Sequence, residues 1–222
     1  READILFAIT PKEATLYQSL GAQAQTLPLR SLGKKIGTHT PRATTEPLNL
    51  FFAGSTYNVT HNRRALEFIL KELAPRLEKE FPGIFRIHIF GSKFPTDLDA
   101  VVYSNVVKRG FVDDLDAAMS EMDIALAPSF FGAGMQQKIF EPLARGFPTI
   151  TNARGLVGYD FDVSEVLLAE TLDDYVQAID SLRSFERRKE FSVRAIQKSK
   201  TLFSEAILDV QVTQALQKCF SK

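Results

Sequence analysis

The feature that most constrains the fold is a regular alternation of short apolar runs and amphipathic helical stretches, which begins after Pro47. Each apolar run has the length of a buried strand, and glycine or proline follows several of them. Strands separated by helices need crossover connections, so they form a parallel sheet with helices on both faces. The sequence therefore predicts an α/β fold. The predicted strands are 48–53, 84–90, 106–109, 124–127, 149–151 and 166–169.

Helical patterns fill the stretches between and after these strands, and the first of them repeats its apolar residues with the 3.6-residue period of a helix. Asp113 is expected to cap the helix that follows it, and Thr171 and Asp174 have the spacing of a capping box. The predicted helices are 62–80, 96–103, 114–122, 134–145, 172–182, 185–200 and 202–220.

A separate strand–helix–strand unit precedes this alternation. It consists of a strand at 4–9, a helix at 11–20 and a strand at 24–29, and the helix has Thr10 as its expected N-cap and Gly21 at its end. The stretch 30–47 is polar and basic and contains two glycines and two prolines. Such a composition predicts a linker.

The charge balance limits the classes of partner. Lys plus Arg is 27 and Asp plus Glu is 27, so there is no basic excess of the kind that indicates nucleic-acid binding. The one cysteine, Cys219, cannot form an internal disulfide, which fits a reducing, cytoplasmic compartment. No apolar run reaches the roughly 18 residues that cross a bilayer. The basic stretch 183–200 has two interpretations. It could contact an anionic lipid surface or a phosphorylated acceptor, or it could be a solvated helix face.

The loop after strand 124–127 carries the strongest chemical signal. Its glycines allow close backbone approach to a ligand, and the helix predicted to begin near Gly134 offers free N–H groups and a positive dipole end to a phosphate. Lys138 lies about one turn into that predicted helix, and Glu141 follows three residues later on the same face. This pattern suits a nucleoside diphosphate, with a cation for the phosphates and a carboxylate for the ribose. An ordinary surface Lys–Glu pair fits the spacing equally well.

A second loop joins strand 48–53 to the next helix and contains Gly54, Ser55 and His61. It also runs from a strand end to a helix start, so it could offer backbone donors to an anion. Capping of the helix by Thr60 or Asn62 is the alternative explanation of its polar residues. His61 could be a proton donor or simply an exposed side chain.

Several common site patterns are absent from the sequence. The glycines at 132 and 134 begin a dinucleotide-type pattern, but Gln137 stands at the third glycine position. There is no complete Gly-Lys-Ser/Thr phosphate loop and no Gly-x-Ser-x-Gly elbow. Three scattered histidines and one cysteine make no metal site of recognisable spacing, so no metal or other cofactor is expected.

The central loop and helix resemble the signature of the group 1 glycosyltransferases, the family-four enzymes with the GT-B fold. Two weaker motifs extend the resemblance over residues 48–161, one around Gly54-Ser55 and Asn62 and one around Gly110-Phe111-Val112. The central motif reads Pro128-Ser129, then Gly132-x-Gly134-x-x-x-Lys138-x-x-Glu141-Pro142-Leu143-Ala144-x-Gly146-x-Pro148.

The resemblance implies a domain organisation and a set of site residues. Residues 1–47 would be the end of an N-terminal domain with a linker, 48–184 a Rossmann-like nucleotide-sugar-binding domain, and 185–222 the C-terminal helices. Most of the N-terminal domain would then be missing. The resemblance implies that Lys138 binds the diphosphate, that Glu141 binds the ribose hydroxyls, and that both take part in catalysis. It implies that Gly54 and Ser55 lie against the diphosphate and that Gly132 and Gly134 line the donor sugar and phosphates. Lys108 and Arg109 would lie near the nucleobase.

The implied activity is sugar transfer from a nucleotide-diphosphate donor, such as a UDP- or GDP-sugar, with retention and without a metal. The acceptor could be a saccharide, a lipid-linked sugar or a protein, and this fragment alone is expected to bind nucleotide weakly without turnover. Two positions depart from the common pattern, Ala133 where many members carry glutamate and Val157 where an acidic residue is usual. A non-catalytic GT-B-like nucleotide-binding or scaffold module, and a nucleotide-sugar epimerase, remain open alternatives.

Overall fold

Six short strands in the second part of the chain form one parallel sheet. The computed structural model describes residues 3–43, 46–101, 103–131 and 135–220. The order across the sheet is β5-β4-β3-β6-β7-β8, and every neighbouring pair is parallel. The predicted α/β class with a Rossmann-like sheet is therefore confirmed. The strands of this sheet are β3 Leu48–Thr56, β4 Phe85–Ser92, β5 Val106–Gly110, β6 Ile124–Leu126, β7 Thr149–Thr151 and β8 Leu167–Leu168.

Helices cover both faces of this sheet because successive strand residues point to opposite sides. Leu50 and Phe52 pack into the large cluster that includes Leu66, whereas Phe51 packs on the other face against Phe147, with ring centroids 4.9 Å apart. The α-helices are α1 Pro11–Ser19, α2 Arg30–Gly33, α3 Thr60–Phe68, α4 Ala74–Glu80, α5 Leu115–Met119, α6 Gln137–Arg145, α7 Leu172–Ser181, α8 Phe185–Phe203 and α9 Glu205–Phe220.

The helix predicted at 62–80 is continuous but not uniform. A single π-helical turn, Ile69–Leu73, joins α3 to α4. Pro75 lies at the start of α4 and has no backbone N–H to donate, which interrupts the α-helical hydrogen-bond pattern at this point. The helix predicted at 96–103 is shorter than expected, since the described part of it contains only the 3₁₀ turn Thr96–Leu98.

The N-terminal unit has the predicted order. Strands β1 (Leu6–Ala8) and β2 (Ala24–Thr26) pair in parallel on either side of α1. Thr10 caps α1 in a capping box with Glu13. The second strand is shorter than the predicted 24–29.

The stretch predicted as a linker is packed against the sheet domain. It contains α2, in which Leu32 is fully buried. The N–H of Gly37 donates to the carbonyl of Ala144, and His39 stacks on Phe147 with ring centroids 3.7 Å apart. The stretch 30–47, predicted as a linker, therefore contains residues that pack against the sheet domain, because apolar and aromatic side chains dock within a polar sequence.

Three further boundaries differ from expectation. Strand β3 continues through Gly54 to Thr56 instead of ending at the glycine. The cap of α5 is Asp114, whose side chain accepts the N–H of Ala117, and not Asp113. Helix α6 begins at Gln137, three residues after the predicted start.

The basic stretch 183–200 forms most of α8, and its side chains have different environments. Arg188 is buried, and its Nη1 donates to the carbonyls of Leu182 and Arg183 at 2.7 and 2.9 Å, at the C-terminal end of α7. Arg194 is half-exposed and pairs with Glu190 of the same helix. Across the described ranges, no helix has both the length and the apolar character needed to span a bilayer.

Candidate functional site

A cavity lies where the strand order reverses, between β3 and β6. The chain proceeds outward from β3 through β4 and β5, and then in the opposite direction from β6 to β8. Parallel sheets of this kind bind ligands outside the carboxyl ends of the strands at such a switch point. The cavity has a volume of about 430 Å³. Its walls come from the end of β3, the start of α3, helix α5 and the first turns of α6.

The loop at the end of β3 forms one wall, with Gly54 and Ser55 in the lining. Tyr57 is buried behind this loop, and its hydroxyl donates to the carbonyl of Phe90 at 2.7 Å. A Cβ atom on Gly54 would lie 2.5 Å from Cε1 of Tyr57, so the glycine is required by packing as well as by any ligand. Ser55 has a positive φ of 50°, a conformation that a non-glycine residue seldom adopts.

Asn62 connects this loop to α6. Its amide nitrogen donates to the carbonyls of Gly54 and Thr56, and its amide oxygen accepts a hydrogen bond from Nζ of Lys138 at 3.2 Å. Helix α3 begins at Thr60 after Val59, with no side-chain cap. The alternative in which Thr60 or Asn62 caps the helix is therefore wrong. Asn62 belongs to the site instead.

Lys138 is the second residue of α6, so it lies closer to the positive end of the helix than the sequence predicted. Within the described residues its ammonium group has no ion-pair partner, and Asn62 is its hydrogen-bond acceptor. Nζ also lies 5.6 Å from the ring centroid of Phe52. Burial lowers the pKa of Lys138 to about 8. A half-buried cation without a counter-ion is suited to receive an anion.

Glu141 lines the same cavity one turn further along α6. Its Oε1 accepts two hydrogen bonds from Arg145, at 3.1 Å from Nε and 2.8 Å from Nη2. Its Oε2 accepts one from Gln137 at 3.2 Å. Because Glu141 pairs with Arg145 and Lys138 with Asn62, the surface Lys–Glu pair does not form among the described residues.

The remaining predicted site residues have other surroundings. Gly132 and Gly134 lie outside the described residues. Nζ of Lys108 donates to the carbonyls of Leu98 and Asp99, and neither Lys108 nor Arg109 is among the described residues that line the cavity. Their assignment to the nucleobase stays a prediction.

Two histidines lie close to predicted site residues, His61 in the cavity wall and His88 next to Arg109. His61 lines the cavity, and its pKa is lowered by burial and by the nearby charge of Lys138. His88 is buried outside the cavity lining. Its Nδ1 accepts a hydrogen bond from Nε of Arg109 at 2.9 Å, and its Nε2 lies 3.1 Å from Oδ1 of Asn49.

Sequence reasoning missed two residues that organise the site, Asn62 as a bridge and Arg145 as the partner of Glu141. The second left a usable signal, because Arg145 follows Glu141 by four residues and such pairs meet on a helix face. Asn62 lies in one of the weaker motifs, but its contact with Lys138 left no signal, since the two residues are 76 positions apart. In the described part of the chain, no group of three His, Cys, Asp or Glu side chains could hold a metal ion.

Solved structures with the same fold include proteins in complex with UDP or UDP-glucose. Sucrose-phosphate synthase from Thermosynechococcus elongatus superposes with a TM-score of 0.72 at 15% identity, over 99% of this chain and 59% of that one. Staphylococcus aureus TarM, solved with UDP, fondaparinux and α-GlcNAc-glycerol, gives 0.71 at 13% identity, over 96% and 43%. Anabaena HepE in complex with UDP-glucose gives 0.69 at 12% identity, over 98% and 65%.

This chain thus spans about two fifths to two thirds of the length of these structures. No curated protein sequence matches it. A family model described as glycosyl transferases group 1 matches residues 47–184, which is more than half of the chain. That segment contains the whole six-stranded sheet together with the cavity at its switch point. The chain therefore belongs to the group 1 glycosyltransferases.

Proposed function

We propose that the cavity between β3 and β6 binds the nucleoside diphosphate part of a sugar donor in a glycosyl transfer reaction. The observation that carries this proposal is the ammonium group of Lys138, a cation in the cavity wall that has no anionic partner among the described residues. Glu141 lies one turn further along the same wall, at a suitable position for a ribose. Similar proteins solved with UDP and with UDP-glucose support this choice of ligand class.

In this proposal the diphosphate binds at the start of α6. The first turn of α6 has no side-chain cap, so its backbone N–H groups and the helix dipole add to the charge of Lys138. Negative charge grows on the diphosphate as the bond to the sugar breaks. A preorganised cation and helix terminus stabilise this charge without reorganisation, which lowers the barrier.

Glu141 would hold the nucleoside. An ionised carboxylate can accept hydrogen bonds from the two ribose hydroxyls, and such charge-assisted bonds are stronger than neutral ones. Met119 and Leu115 of α5 form an apolar part of the same cavity. We expect retention of anomeric configuration and no metal requirement, as the resemblance implies.

The acceptor is proposed to bind outside the described cavity. This chain covers only part of the length of similar structures. The proposed acceptor is a saccharide, a lipid-linked sugar or a protein. We therefore expect the 222-residue chain to bind nucleotide without turning over a donor.

Calorimetric titration with UDP and GDP tests the phosphate role. Lys138→Ala should weaken binding by about 1.5–3 kcal/mol, the range for a hydrogen bond to a charged group. Lys71→Ala is the matched control, because Lys71 is exposed and outside the cavity lining. Equal affinities for wild type and Lys138→Ala would refute the proposal.

Inorganic pyrophosphate separates the nucleoside role of Glu141 from the phosphate role of Lys138. Glu141→Gln should weaken UDP or GDP but not pyrophosphate, since the phosphate-binding groups are unchanged. Equal weakening of both ligands would show that Glu141 acts through folding or through the general field. No change with either ligand would remove Glu141 from the site.

A further inference from the structure

Arg145 is the last residue of α6 and carries a nearly buried cation. It has no part in the donor contacts proposed above. Its side chain is 5% exposed and makes hydrogen bonds to three different residues. Nε and Nη2 donate to Oε1 of Glu141, Nη2 also donates to Asp116 of α5, and Nη1 lies 3.4 Å from the hydroxyl of Thr38. Lys35 pairs with Asp116 at 2.6 Å. We call Lys35, Asp116, Glu141 and Arg145 the Arg145 cluster.

The cluster joins two walls of the cavity. Glu141 belongs to α6. Asp116 belongs to α5, and its neighbour Leu115 lines the cavity. Arg145 bonds to both carboxylates but is not among the described residues of the cavity lining. It therefore acts on a ligand only through the residues that it holds.

The two oxygens of Glu141 have different environments. Oε1 accepts both hydrogen bonds from Arg145, whereas Oε2 accepts one from the exposed side chain of Gln137. A guanidinium group donates in a fixed planar arrangement, so two bonds to one oxygen restrict rotation of the carboxylate. Oε2 keeps more acceptor capacity for a ligand in the cavity.

We infer that Arg145 is a positioning residue for nucleoside recognition, because it anchors Oε1 of Glu141 and leaves Oε2 for the ribose hydroxyls. This inference rests on the proposed function of Glu141. The motif that identifies the family leaves position 145 open, between Ala144 and Gly146. Nothing in that motif assigns Arg145 a role.

A purely structural role is the competing explanation. The backbone carbonyl of Arg145 accepts the N–H of His39 at 2.9 Å, and the guanidinium group reaches Thr38 in the same segment. Arg145 could therefore serve only to attach residues 34–43 to α6. Such a role would affect folding and all ligands alike, whereas positioning of Glu141 affects the nucleoside part alone.

A double-mutant cycle measured with the full chain distinguishes these roles. The variants are Arg145→Met, Glu141→Gln and the double variant, each titrated with UDP, GDP and pyrophosphate. Arg145→Met removes the charge and retains most of the side-chain volume. We expect Arg145→Met to weaken binding of the better-binding nucleotide about tenfold, a coupling of the size seen between residues in contact such as Arg145 and Glu141. Binding of pyrophosphate should weaken less than about twofold. In the Glu141→Gln background Arg145→Met should cause no further loss.

Lys34→Met serves as the matched control, because Lys34 is exposed and precedes the cluster. Arg145→Lys keeps a charge that can bond to Oε1, and it replaces Arg145→Met if that variant does not fold. Arg145→Lys should bind the nucleotide about threefold more weakly than the wild type and should bind pyrophosphate with unchanged affinity.

The outcomes separate failure of this inference from failure of the proposed function. If Arg145→Met weakens nucleotide and pyrophosphate equally, or by the same factor in both backgrounds, Arg145 has only a structural role. If Arg145→Met has no effect while Glu141→Gln weakens the nucleotide, the positioning role is refuted and the role of Glu141 stands. If Glu141→Gln itself has no effect, the assignment of Glu141 is refuted first.

Discussion

The pKa of Lys138 makes the affinity for a diphosphate depend on pH in a predictable direction. Burial lowers this pKa to about 8, whereas a free lysine titrates near 10.5. A bound diphosphate favours the charged ammonium, so binding draws a proton onto Lys138 above that pKa. Affinity should therefore fall as the pH rises through 8, even though the ligand itself does not become less anionic.

The size of the effect follows from the titration curve. With a pKa of about 8, Lys138 is about nine-tenths charged at pH 7, half charged at pH 8 and about one-tenth charged at pH 9. Affinity for UDP should drop about tenfold between pH 7 and pH 9, which is about 1.4 kcal/mol. About half a proton should be taken up per ligand at pH 8.

Calorimetry in two buffers with different ionisation enthalpies measures the proton uptake directly. Lys138→Arg is the matched control, because a guanidinium group stays charged over this range and any titration of the ligand is shared. The difference in pH dependence between the two proteins is the contribution of Lys138. The same slope in both would refute the account of a half-buried lysine that becomes charged on binding.

Gly54→Ala should destabilise the fold by about 1–3 kcal/mol, because the Cβ of the new alanine would contact the Tyr57 ring. Adding Tyr57→Leu to this variant should recover part of the lost stability in chemical unfolding. Burial lowers the pKa of His39 and of His88 to about 4, whereas the unperturbed value is 6.5. Protonation therefore favours the unfolded chain, and each histidine should cost about 2.5 kcal/mol of stability as the pH falls from 7.5 to 4.5. His39→Phe should reduce this loss in urea melts, and an unchanged pH dependence would contradict it. EDTA should leave UDP binding unchanged, and a strict Mg²⁺ or Mn²⁺ requirement for binding would contradict a metal-free site.

Much of the fold could be predicted because its signals are local. The N-cap at Thr10 and the capping box at Thr171 form as expected, and the strands after Pro47 lie near their predicted positions. The start of α6 was misplaced because glycines mark a loop but do not fix where the first helical hydrogen bond forms. Docking of Leu32 and His39 was missed because it depends on surfaces that are far away in sequence.

The candidate site was predictable where one helix carries it. Lys138 and Glu141 meet in one cavity because both lie on α6, so their spacing was informative. The partner of Lys138 could not be predicted from the motif, whereas the four-residue spacing of Arg145 after Glu141 was a usable signal. Asn62 reaches Lys138 from the first turn of α3, and Arg145 donates two hydrogen bonds to Oε1 of Glu141 from one turn further along α6. Side-chain direction on β5 was equally hidden, and Lys108 bonds to a neighbouring loop.

The most direct test of the central claim is a crystal structure of this chain soaked with UDP and, separately, with GDP. The account predicts that one of them occupies the cavity between β3 and β6. Its diphosphate should lie within hydrogen-bonding distance of Nζ of Lys138 and the first turn of α6, and its ribose hydroxyls should lie at Glu141. A nucleotide bound elsewhere, or one bound with its ribose at Lys138 and its phosphates away from α6, would contradict the account.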